Sequence, residues 1–377
     1  MRIGVPKETK VLEFRVGMVP DGVAALSRAG HEVWIEAGAG AGSGFADAEY
    51  EARGAKIVDR EAAWSAELVV KVKEPQPDEV PLMQRGQVLF TYLHLAPNPE
   101  LTHALLAADV IGVAYETIRS PDGTFPVLAP MSEVAGRLAA QIGVTLLQKD
   151  RGGKGILVGG VPGVLRGRVS VIGGGIVGIN AARVAHALGA EVDVLDIDLQ
   201  RLTYLYDIFR GELNTLYANT ANIERSVVTS DLVIGAVYIA GRRAPTIVTE
   251  AMIEAMQPGS VVADVAVDQG GCVETIRPTT HADPTYLVHD VIHYGVANMP
   301  GAVPRTSTQA LTNTTLPYIE RIAGAGIDAA LAAEPALALG TNVYRGKLVH
   351  PGVADATELP LTPLKELVPG TFEAPAS

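Results

Sequence analysis

The sequence predicts an α/β protein made of two doubly wound domains with mostly parallel sheets. Its 377 residues are more than one ordinary domain needs, at roughly 150 residues per domain. Short apolar runs alternate with stretches of helical composition along most of the chain, which is typical of βαβ units. The 40 glycines suit the many tight turns between strands and helices in such domains.

The first 115 residues predict one series of strands and helices. The predicted strands are the apolar runs Arg2–Val5, Glu32–Glu36, Leu68–Val72, Gln87–Tyr92 and Val110–Tyr115. The predicted helices are Asp21–Ala29, Asp47–Arg53, Asp78–Met83 and Pro99–Ala108. Strands that alternate with helices at this spacing favour parallel pairing.

A long helix is expected after Ser132, whose hydroxyl suits an N-cap because it can accept an unpaired backbone N–H. Val134, Leu138, Ile142 and Leu146 follow at intervals of four residues and form one apolar stripe. This helix is predicted to connect the two domains.

A second series of strands and helices follows. Its predicted strands are Val169–Ile172, Val192–Leu195, Leu232–Ala236 and Ser260–Val265. Ser307–Ala323 predicts another long helix, in which Pro317 should produce a kink or a break. The tail from Glu334 is rich in Pro and Gly and shows little periodicity, so no elements are predicted there.

Composition excludes several classes of protein. With 48% hydrophobic and 19% charged residues, the chain is too apolar for a disordered protein. The 30 Lys and Arg residues against 42 Asp and Glu residues give a net charge of -12, which disfavours nucleic acid as a partner. The single cysteine excludes an internal disulfide framework and a cysteine-based zinc site, and we expect no bound metal.

We expect a soluble, cytoplasmic protein. The first ten residues lack the apolar segment of a signal peptide. No uncharged apolar run reaches about 18 residues, the length that a membrane span requires.

The predicted strand Val169–Ile172 leads into a G-x-G-x-x-G pattern made by Gly173, Gly175 and Gly178. A helical stretch, a second strand and an acidic residue follow at the spacing of a dinucleotide-binding Rossmann domain. One glycine permits the tight turn, one lets the backbone approach a pyrophosphate, and one lets the helix pack against the strand. We rank dinucleotide binding well ahead of a purely structural glycine turn.

Asp196 ends the second strand of this motif and favours NAD over NADP. A carboxylate there accepts hydrogen bonds from a ribose 2′-hydroxyl and repels a 2′-phosphate. Arg201 lies five residues further on and could weaken that preference. Its position alone is equally consistent with a solvated helix arginine.

Three basic side chains follow strands of the first domain. Arg15 lies in the loop after the first strand, Lys73 follows Leu68–Val72, and His94 follows Gln87–Tyr92. Because ligands bind beyond the carboxyl ends of parallel strands, we expect these three residues to lie at one edge of one sheet. Arginine and lysine suit a substrate carboxylate, and histidine can transfer protons near neutral pH.

Simpler roles remain open for these residues. Lys73 precedes Glu74 and could form a surface ion pair with it that contributes little to stability. A lone histidine such as His94 is usually structural. Convergence at strand ends favours function for all three. The other histidines lack that support and are taken as structural or surface residues.

The second domain offers Asp268, just past the predicted strand Ser260–Val265. We favour a functional role over a carboxylate that merely stabilises the glycine turn. Cys272 in the same loop is expected to pack rather than react. Asn298 follows in a similar segment and could bond a carboxamide.

Long stretches of the chain resemble the alanine dehydrogenase and pyridine nucleotide transhydrogenase family. They run from residue 1 to about 320. The matching stretches are GVPKETK, EFRV, KVKEP, FTYLHLA, LAPMSEVAGRLAAQ, GGVPGV, VIGGGIVG, DLVIGAV, DVAVDQGGC, RPTTH, VANMPGAVPRTST and ALTN.

The resemblance implies a fold and an activity. It implies reversible, NAD-dependent oxidative deamination of L-alanine to pyruvate and ammonia, by a homohexamer. It also implies a substrate domain built from residues 1–130 and 307–377, with an NAD-binding domain of residues 131–306 inserted and a cleft between the two.

The resemblance also implies residue roles. Arg15 and Lys73 would bind the substrate, and His94 and Asp268 would be the catalytic pair. The cofactor would be bound by Ser132, Ile176, Val177, Asp196, Arg201, Val237, Tyr238, Val265, Ala266, Val267, Asp268, Arg277, Val296, Ala297, Asn298 and Met299.

Two positions depart from the family pattern. Ala218 stands where a serine is common, so one hydroxyl contact on the adenine side would be missing. Tyr238 replaces a smaller aliphatic residue in the wall of the cofactor site.

Three rival functions stay open. One is the NAD(H)-binding part of a proton-translocating transhydrogenase, although that relative typically lacks counterparts of Lys73 and His94. Another is a nucleotide-sensing protein without catalysis. The third is a dehydrogenase of a different amino or imino acid.

Overall fold

The computed structural model describes residues 1–237 and 244–372. The chain forms two compact units: a first unit of Met1–Met131 and Val303–Ser377, and a second unit of Ser132–Ala302. Both units are α/β with mostly parallel sheets, so the predicted fold class is confirmed.

The amino-terminal part of the first unit is a series of strands and helices. Its strands are β1 (Arg2–Val5), β2 (Glu32–Glu36), β3 (Lys56–Val58), β4 (Leu68–Val70), β5 (Val88–Thr91) and β6 (Ile111–Ala114). Its helices are α1 (Pro20–Arg28), α2 (Asp47–Glu51), α3 (Arg60–Trp64) and α4 (Pro99–Ala107), and α5 (Ala129–Leu146) leads into the second unit.

The second unit is one continuous stretch of chain. Its strands are β7 (Arg168–Ile172), β8 (Glu191–Asp196), β9 (Asn214–Tyr217), β10 (Leu232–Gly235), β11 (Val261–Asp264), β12 (Thr285–Val288) and β13 (Val291–Tyr294). Its further helices are α6 (Ile176–Ala187), α7 (Leu199–Ile208), α8 (Thr220–Thr229) and α9 (Glu250–Glu254).

The chain then returns to the first unit. The returning elements are α10 (Pro304–Ala325), α11 (Ile327–Ala333), α12 (Pro335–Gly340), β14 (Thr341–Tyr344), β15 (Lys347–Leu348), α13 (Pro351–Thr357) and α14 (Leu364–Leu367).

The sheet of the first unit has the order β15-β14-β6-β5-β4-β1-β2-β3. Strands β1 to β6 pair in parallel, and β14 pairs antiparallel to β6. The neighbours β1, β4, β5 and β6 therefore bring their carboxyl ends to one edge. Leu311 and Ile319 of α10 are fully buried in the same core as Val70 and Phe90, so the returning chain completes this unit.

The sheet of the second unit has the order β12-β13-β11-β10-β7-β8-β9. All its pairings are parallel except that between β12 and β13. Strand β7 is the first strand of this unit, and later strands add on both sides of it. The strand order therefore reverses between β7 and β10. Nucleotides bind at such a switch point, beyond the carboxyl ends of the strands.

Several local predictions are wrong. Asp78–Met83 contains only a short 3-10 turn at Val80–Leu82, because Pro81 lacks the N–H that a continuing helix needs. Helix α5 begins at Ala129, so Ser132 lies inside the helix and does not cap it; Pro130 suits the first turn. A break at Pro317 is also wrong, because α10 continues through it: Pro317 lies on an exposed face, where water can satisfy the carbonyl left unpaired, and a kink there stays a prediction.

The tail after Glu334 is also structured, although its sequence predicts no elements. Among the described residues, none of the helices is both long and apolar enough to cross a bilayer.

Candidate active site

The carboxyl edge of the first sheet brings together the three basic residues predicted from sequence. Arg15 lies in the loop after β1, Lys73 shortly after β4, and His94 shortly after β5. Their strands are adjacent, since β1 pairs with β4 and β4 pairs with β5. The expected placement at one sheet edge is therefore observed.

Arg15 is buried and its guanidinium forms a two-pronged ion pair. Its Nε donates to Oε1 of Glu13 at 2.7 Å, and its Nη2 donates to Oε2 at 2.6 Å. Burial by itself would raise the pKa of Glu13, but the hydrogen bonds and charge of Arg15 outweigh it and lower the pKa to about 2. Glu13 is therefore ionised at working pH, and it occupies the fork expected to bind a substrate carboxylate. Nη1 of Arg15 donates to the sulfur of Met131 at 3.3 Å.

Lys73 is buried but differs from Arg15 in its surroundings. Within the described residues its ammonium forms no hydrogen bond or ion pair, because Glu74 pairs with Lys10 at 2.5 Å instead. Burial lowers the pKa of Lys73, and the nearby charge of Arg15 lowers it further. The alternative of a surface pair with Glu74 is thus excluded, and a buried cation is left to be matched by an anion.

His94 lies shortly after β5 in an uncommon conformation. Its φ is 48°, in the left-handed region that non-glycine residues seldom adopt. The imidazole stacks on Tyr92 with ring centroids 5.7 Å apart and planes 4° apart. The His94 side chain is 45% exposed, so it can reach a bound ligand.

The glycine pattern of the second unit forms the turn between β7 and α6. Gly173 has φ 102°, and a Cβ at Gly178 would lie 1.8 Å from the Gly173 carbonyl oxygen. No atom lies within 4 Å of a Cβ built on Gly175, which is exposed at the start of α6. The three glycines thus provide the turn, the close packing and an open approach to the helix N-terminus, as a pyrophosphate requires.

Asp196 is fixed beside this turn. Its Oδ2 accepts the Gly174 N–H at 2.6 Å, and its Oδ1 accepts the Asp198 N–H at 2.9 Å. Arg201 donates from Nε to the Gly174 carbonyl and from Nη2 to the Gly175 carbonyl at 3.3 Å. Arg201 is therefore tied to the glycine turn and is not simply a solvated helix arginine.

The other proposed cofactor residues of the second unit also follow its strands. Ala218 follows β9, Val237 follows β10, and the segment 265–268 follows β11. Val296, Ala297, Asn298 and Met299 follow β13, with Asn298 at φ 64°. Arg277 packs its guanidinium over the Tyr286 ring at 4.1 Å. Tyr238 lies outside the described residues, and Ser132 lies in α5.

Comparisons with known proteins agree with this arrangement. Two family models match in sequence order: "Alanine dehydrogenase/PNT, N-terminal domain" at residues 4–135 and "Alanine dehydrogenase/PNT, C-terminal domain" at residues 139–351. The chain belongs to this family.

Relatives that match nearly the whole chain bear this out. A protein of Staphylococcus haemolyticus named alanine dehydrogenase is 54% identical over 97% of this chain and 99% of its own. One of Methanococcus maripaludis with the same name is 53% identical with the same coverage. A solved structure titled L-alanine dehydrogenase superposes with a TM-score of 0.93 at 53% identity, covering 95% of this chain and 99% of that one.

In this member of the alanine dehydrogenase/PNT family, a buried ion triad lies next to Lys73. The sequence did not predict it. Lys71 Nζ lies 2.9 Å from Glu79 Oε1 and 3.3 Å from Glu8 Oε2, and all three side chains are at most 1% exposed. Glu8 Oε1 also accepts the Val72 N–H at 2.7 Å and the Lys73 N–H at 3.3 Å. The triad therefore ties the loop after β1 to the backbone that carries Lys73. The available signal was a lysine within the apolar run Leu68–Val72.

Glu116 was missed as well. Its carboxylate accepts the Leu93 N–H at 3.2 Å and the His94 N–H at 2.6 Å, which holds His94 in its left-handed conformation. Successive backbone N–H groups of this kind form an anion-binding nest. Glu116 lies two residues beyond the end of β6, and its position at a strand end was the available signal.

Proposed function

We propose that this protein is an NAD-dependent alanine dehydrogenase, which converts L-alanine reversibly into pyruvate and ammonia. The observation that carries the proposal is the pair of buried cations, Arg15 and Lys73, at the sheet edge where His94 is exposed. The family membership and the nearly complete coverage of relatives named alanine dehydrogenase support the same activity.

Charge balance explains how the site would select an amino acid or an oxo acid. Arg15 and Lys73 carry two positive charges, and Glu13 supplies one negative charge at neutral pH. Because Glu13 pairs with Arg15, the Lys73 ammonium is the buried cation here without a direct partner among the described residues, which is costly until an anion bonds it. A substrate carboxylate would complete the balance, with Lys73 as its direct partner.

The chemistry divides between the bound cofactor and the side chains. NAD, when bound, accepts the hydride that leaves the α-carbon of alanine. We propose that Lys73 and Arg15 orient the carboxylate and that His94 accepts the proton of the water that adds to the imine carbon. The same imidazolium returns that proton to the nitrogen, and as the C–N bond breaks and ammonia departs, the neutral imidazole takes the proton of the carbinolamine hydroxyl, which becomes the carbonyl of pyruvate. Asp268, in the second unit, would orient or activate this water. Holding reactants in a fixed orientation can supply about 7–11 kcal/mol of the barrier.

The surroundings of Asp196 support NAD rather than NADP as the cofactor. Its carboxylate is held by the backbone at the turn expected to bind the pyrophosphate. A carboxylate there can bond a ribose hydroxyl, whereas the 2′-phosphate of NADP would meet a like charge. Arg201 is bonded to carbonyl groups of the turn, which reduces its capacity to compensate.

Asp196→Ala should therefore narrow the preference for NAD over NADP. The ratio of kcat/KM for the two cofactors is the measurement, and we expect it to fall about tenfold or more, since removing one charge repulsion is worth about 1.4 kcal/mol or more. Asp198→Ala, which removes the adjacent N-cap carboxylate of α7, is the matched control and should leave the ratio unchanged. An unchanged ratio of kcat/KM for the two cofactors in Asp196→Ala would mean that another group distinguishes the ribose from its 2′-phosphate.

The lowered pKa of Lys73 leads to a prediction about pH. As pH rises, its ammonium should lose its proton earlier than an exposed lysine would, and the affinity for an anionic substrate should fall. The measurement is the dissociation constant of pyruvate for the NADH-loaded protein from pH 7 to about pH 10, below the ordinary lysine pKa. This assay contains neither alanine nor ammonia, so no amino group of a substrate titrates within the pH range.

Lys73→Arg tests the assignment, because a guanidinium stays charged throughout this range. Its pyruvate affinity should be weaker than that of the wild type but nearly independent of pH. The same alkaline loss of affinity in Lys73→Arg and in the wild type would exclude Lys73 as its source.

The proposed activity can be tested with the purified chain alone. NADH formation should be fastest with L-alanine in a panel of amino acids, and slower with serine or 2-aminobutyrate. NAD binding without turnover of any amino acid would instead favour a transhydrogenase-like carrier or a nucleotide sensor. A strong preference for a large or charged amino acid would indicate a different dehydrogenase.

We also propose that the chain forms a homohexamer and works in the cytoplasm. The exposed apolar side chains of the segment 157–165 support self-association, since Leu157 is 67%, Val164 is 64% and Leu165 is 92% exposed. Sedimentation equilibrium of the purified chain should give six times the mass of one chain. A monomer at micromolar concentration would contradict the proposal.

A further inference from the structure

The loop after β11 holds several of the residues assigned above to the cofactor and to catalysis. It runs from 265 to 271 and includes a 3-10 turn, Val265–Gln269. Gly270 and Gly271 close it with φ values of 90° and 74°. Asp268 lies on this turn and is exposed, so its own side chain does little to fix its position.

Asp264, the last residue of β11, joins the two ends of this loop. Its Oδ1 accepts the Ala266 N–H at 2.8 Å. Its Oδ2 accepts the Cys272 N–H at 2.7 Å and the Val273 N–H at 3.1 Å. One carboxylate thus bonds the first turn of the loop and the first two residues beyond it.

The surroundings of Asp264 are shaped around its carboxylate. The side chain is fully buried, and among the described residues no cation pairs with it. A Cβ at Gly235 would lie 2.7 Å from Oδ1, and one at Gly271 would lie 3.0 Å from Oδ2. A buried carboxylate that no cation neutralises is costly, and a neutral side chain would serve if only packing were needed.

We propose that Asp264 is a positioning residue for the reaction: by bonding both ends of the loop 265–271, it sets the place of Asp268 and of the backbone that would face the nicotinamide. This inference rests on the proposed function. Asp264 itself would contact neither substrate nor cofactor, and its effect would pass through the three backbone N–H groups it accepts.

The test uses Asp264→Asn, which keeps the size of the side chain. An asparagine turns one acceptor into a donor, so either Ala266 N–H or the pair from Cys272 and Val273 would lose its partner. A displacement of about 1 Å at a catalytic group can reduce the rate about 10²-fold, and we expect a fall in kcat of about that size. The pyruvate KM should change little, because Lys73 and Arg15 lie in the first unit.

Binding measurements separate positioning from general damage to the second unit. ADP-ribose, the adenine half of the cofactor, should bind Asp264→Asn as it binds the wild type, because Asp196 and the glycine turn are unaltered. NADH, which also carries the nicotinamide, should bind about tenfold more weakly, the loss expected for one buried hydrogen bond. Equal losses for the two ligands would overturn the proposal.

Asp231→Asn is the matched control, because Asp231 lies at the opposite edge of the same sheet. It accepts the Arg168 N–H at 2.8 Å and pairs with Lys154. This variant should retain kcat even if its melting temperature falls as far as that of Asp264→Asn. A kcat of Asp264→Asn within threefold of the wild type would overturn the proposal.

A second variant covers the case in which Asp264→Asn does not fold. Asp264→Ser is smaller and places no rigid donor against the backbone N–H groups, and it should show the same loss of kcat and the same contrast between NADH and ADP-ribose. If the wild type oxidised no amino acid, the proposed activity would fail. The difference between the losses of NADH affinity and of ADP-ribose affinity would then test the positioning role by itself.

Discussion

Replacing His94 with alanine is expected to lower turnover by about 10²–10⁴-fold in both directions, the usual contribution of a positioned acid–base group. His94 is an exposed histidine at the sheet edge that holds Lys73 and Arg15, and Glu116 holds its backbone. Deamination requires a proton to leave the attacking water, and amination requires it to return. The loss should therefore appear in alanine oxidation and in pyruvate amination alike.

The control for this prediction is His103→Ala, which removes an exposed histidine from α4 in the same unit. It should keep the wild-type rate in both directions. His94→Ala should still bind NADH normally, since the cofactor residues proposed above are in the second unit or in α5. Near wild-type turnover in His94→Ala from pH 6 to about pH 9, a range that spans ordinary histidine titration, would show that another group carries the proton.

Replacing Lys71 with methionine should have the largest effect on stability. Methionine fills a similar volume but leaves the carboxylates of Glu8 and Glu79 buried without their shared cation. Removing one partner from a buried ion pair costs about 3–5 kcal/mol, and the free energy of unfolding should fall by that amount. Urea unfolding at a fixed chain concentration is the measurement.

Lys56→Met provides the comparison. Lys56 pairs with Glu32 at 2.9 Å, but both side chains are more than half exposed, and such pairs contribute about 0–1 kcal/mol. Lys71→Met should also weaken pyruvate binding, because Glu8 holds the Lys73 backbone. Similar small losses of stability in the two variants would mean that the triad is not a stabilising element.

The parts of the fold that could be predicted from sequence are those with long apolar runs. Strands β7, β8, β10 and β11 lie at the predicted positions because each has several buried valine, leucine or isoleucine residues between clear turns. Strand β3 was missed because it is short, lies at the sheet edge and is half exposed. Strand β14 was missed for a different reason.

In β14 the buried side chains are partly polar, so the apolar pattern fails. Thr341 donates to the Leu337 carbonyl at 2.9 Å, and Asn342 accepts a hydrogen bond from Thr117 at 2.9 Å. Both residues are at most 1% exposed. Their partners are supplied by the folded chain, and no local pattern in the sequence reveals them.

The same distinction applies to the candidate site. Arg15, Lys73, His94 and Asp268 could be proposed from the sequence because each lies beyond the end of a recognisable strand. The role of Asp264 could not be predicted from the sequence. Several residues lie at strand ends, and only the structure shows that Asp264 accepts three backbone N–H groups. Glu8 likewise becomes informative only when Lys71 is beside it.

The division of the first unit between the two ends of the chain has a consequence for biosynthesis. A ribosome synthesises the whole second unit, up to Ala302, before it adds any of α10, β14 or the buried Leu331 and Leu337. During that interval the first six strands expose apolar surface that the returning chain will cover. The order of synthesis therefore favours completion of the nucleotide-binding half first. It also leaves the nascent amino-terminal part with uncovered apolar surface, which is prone to aggregation until the returning chain is made.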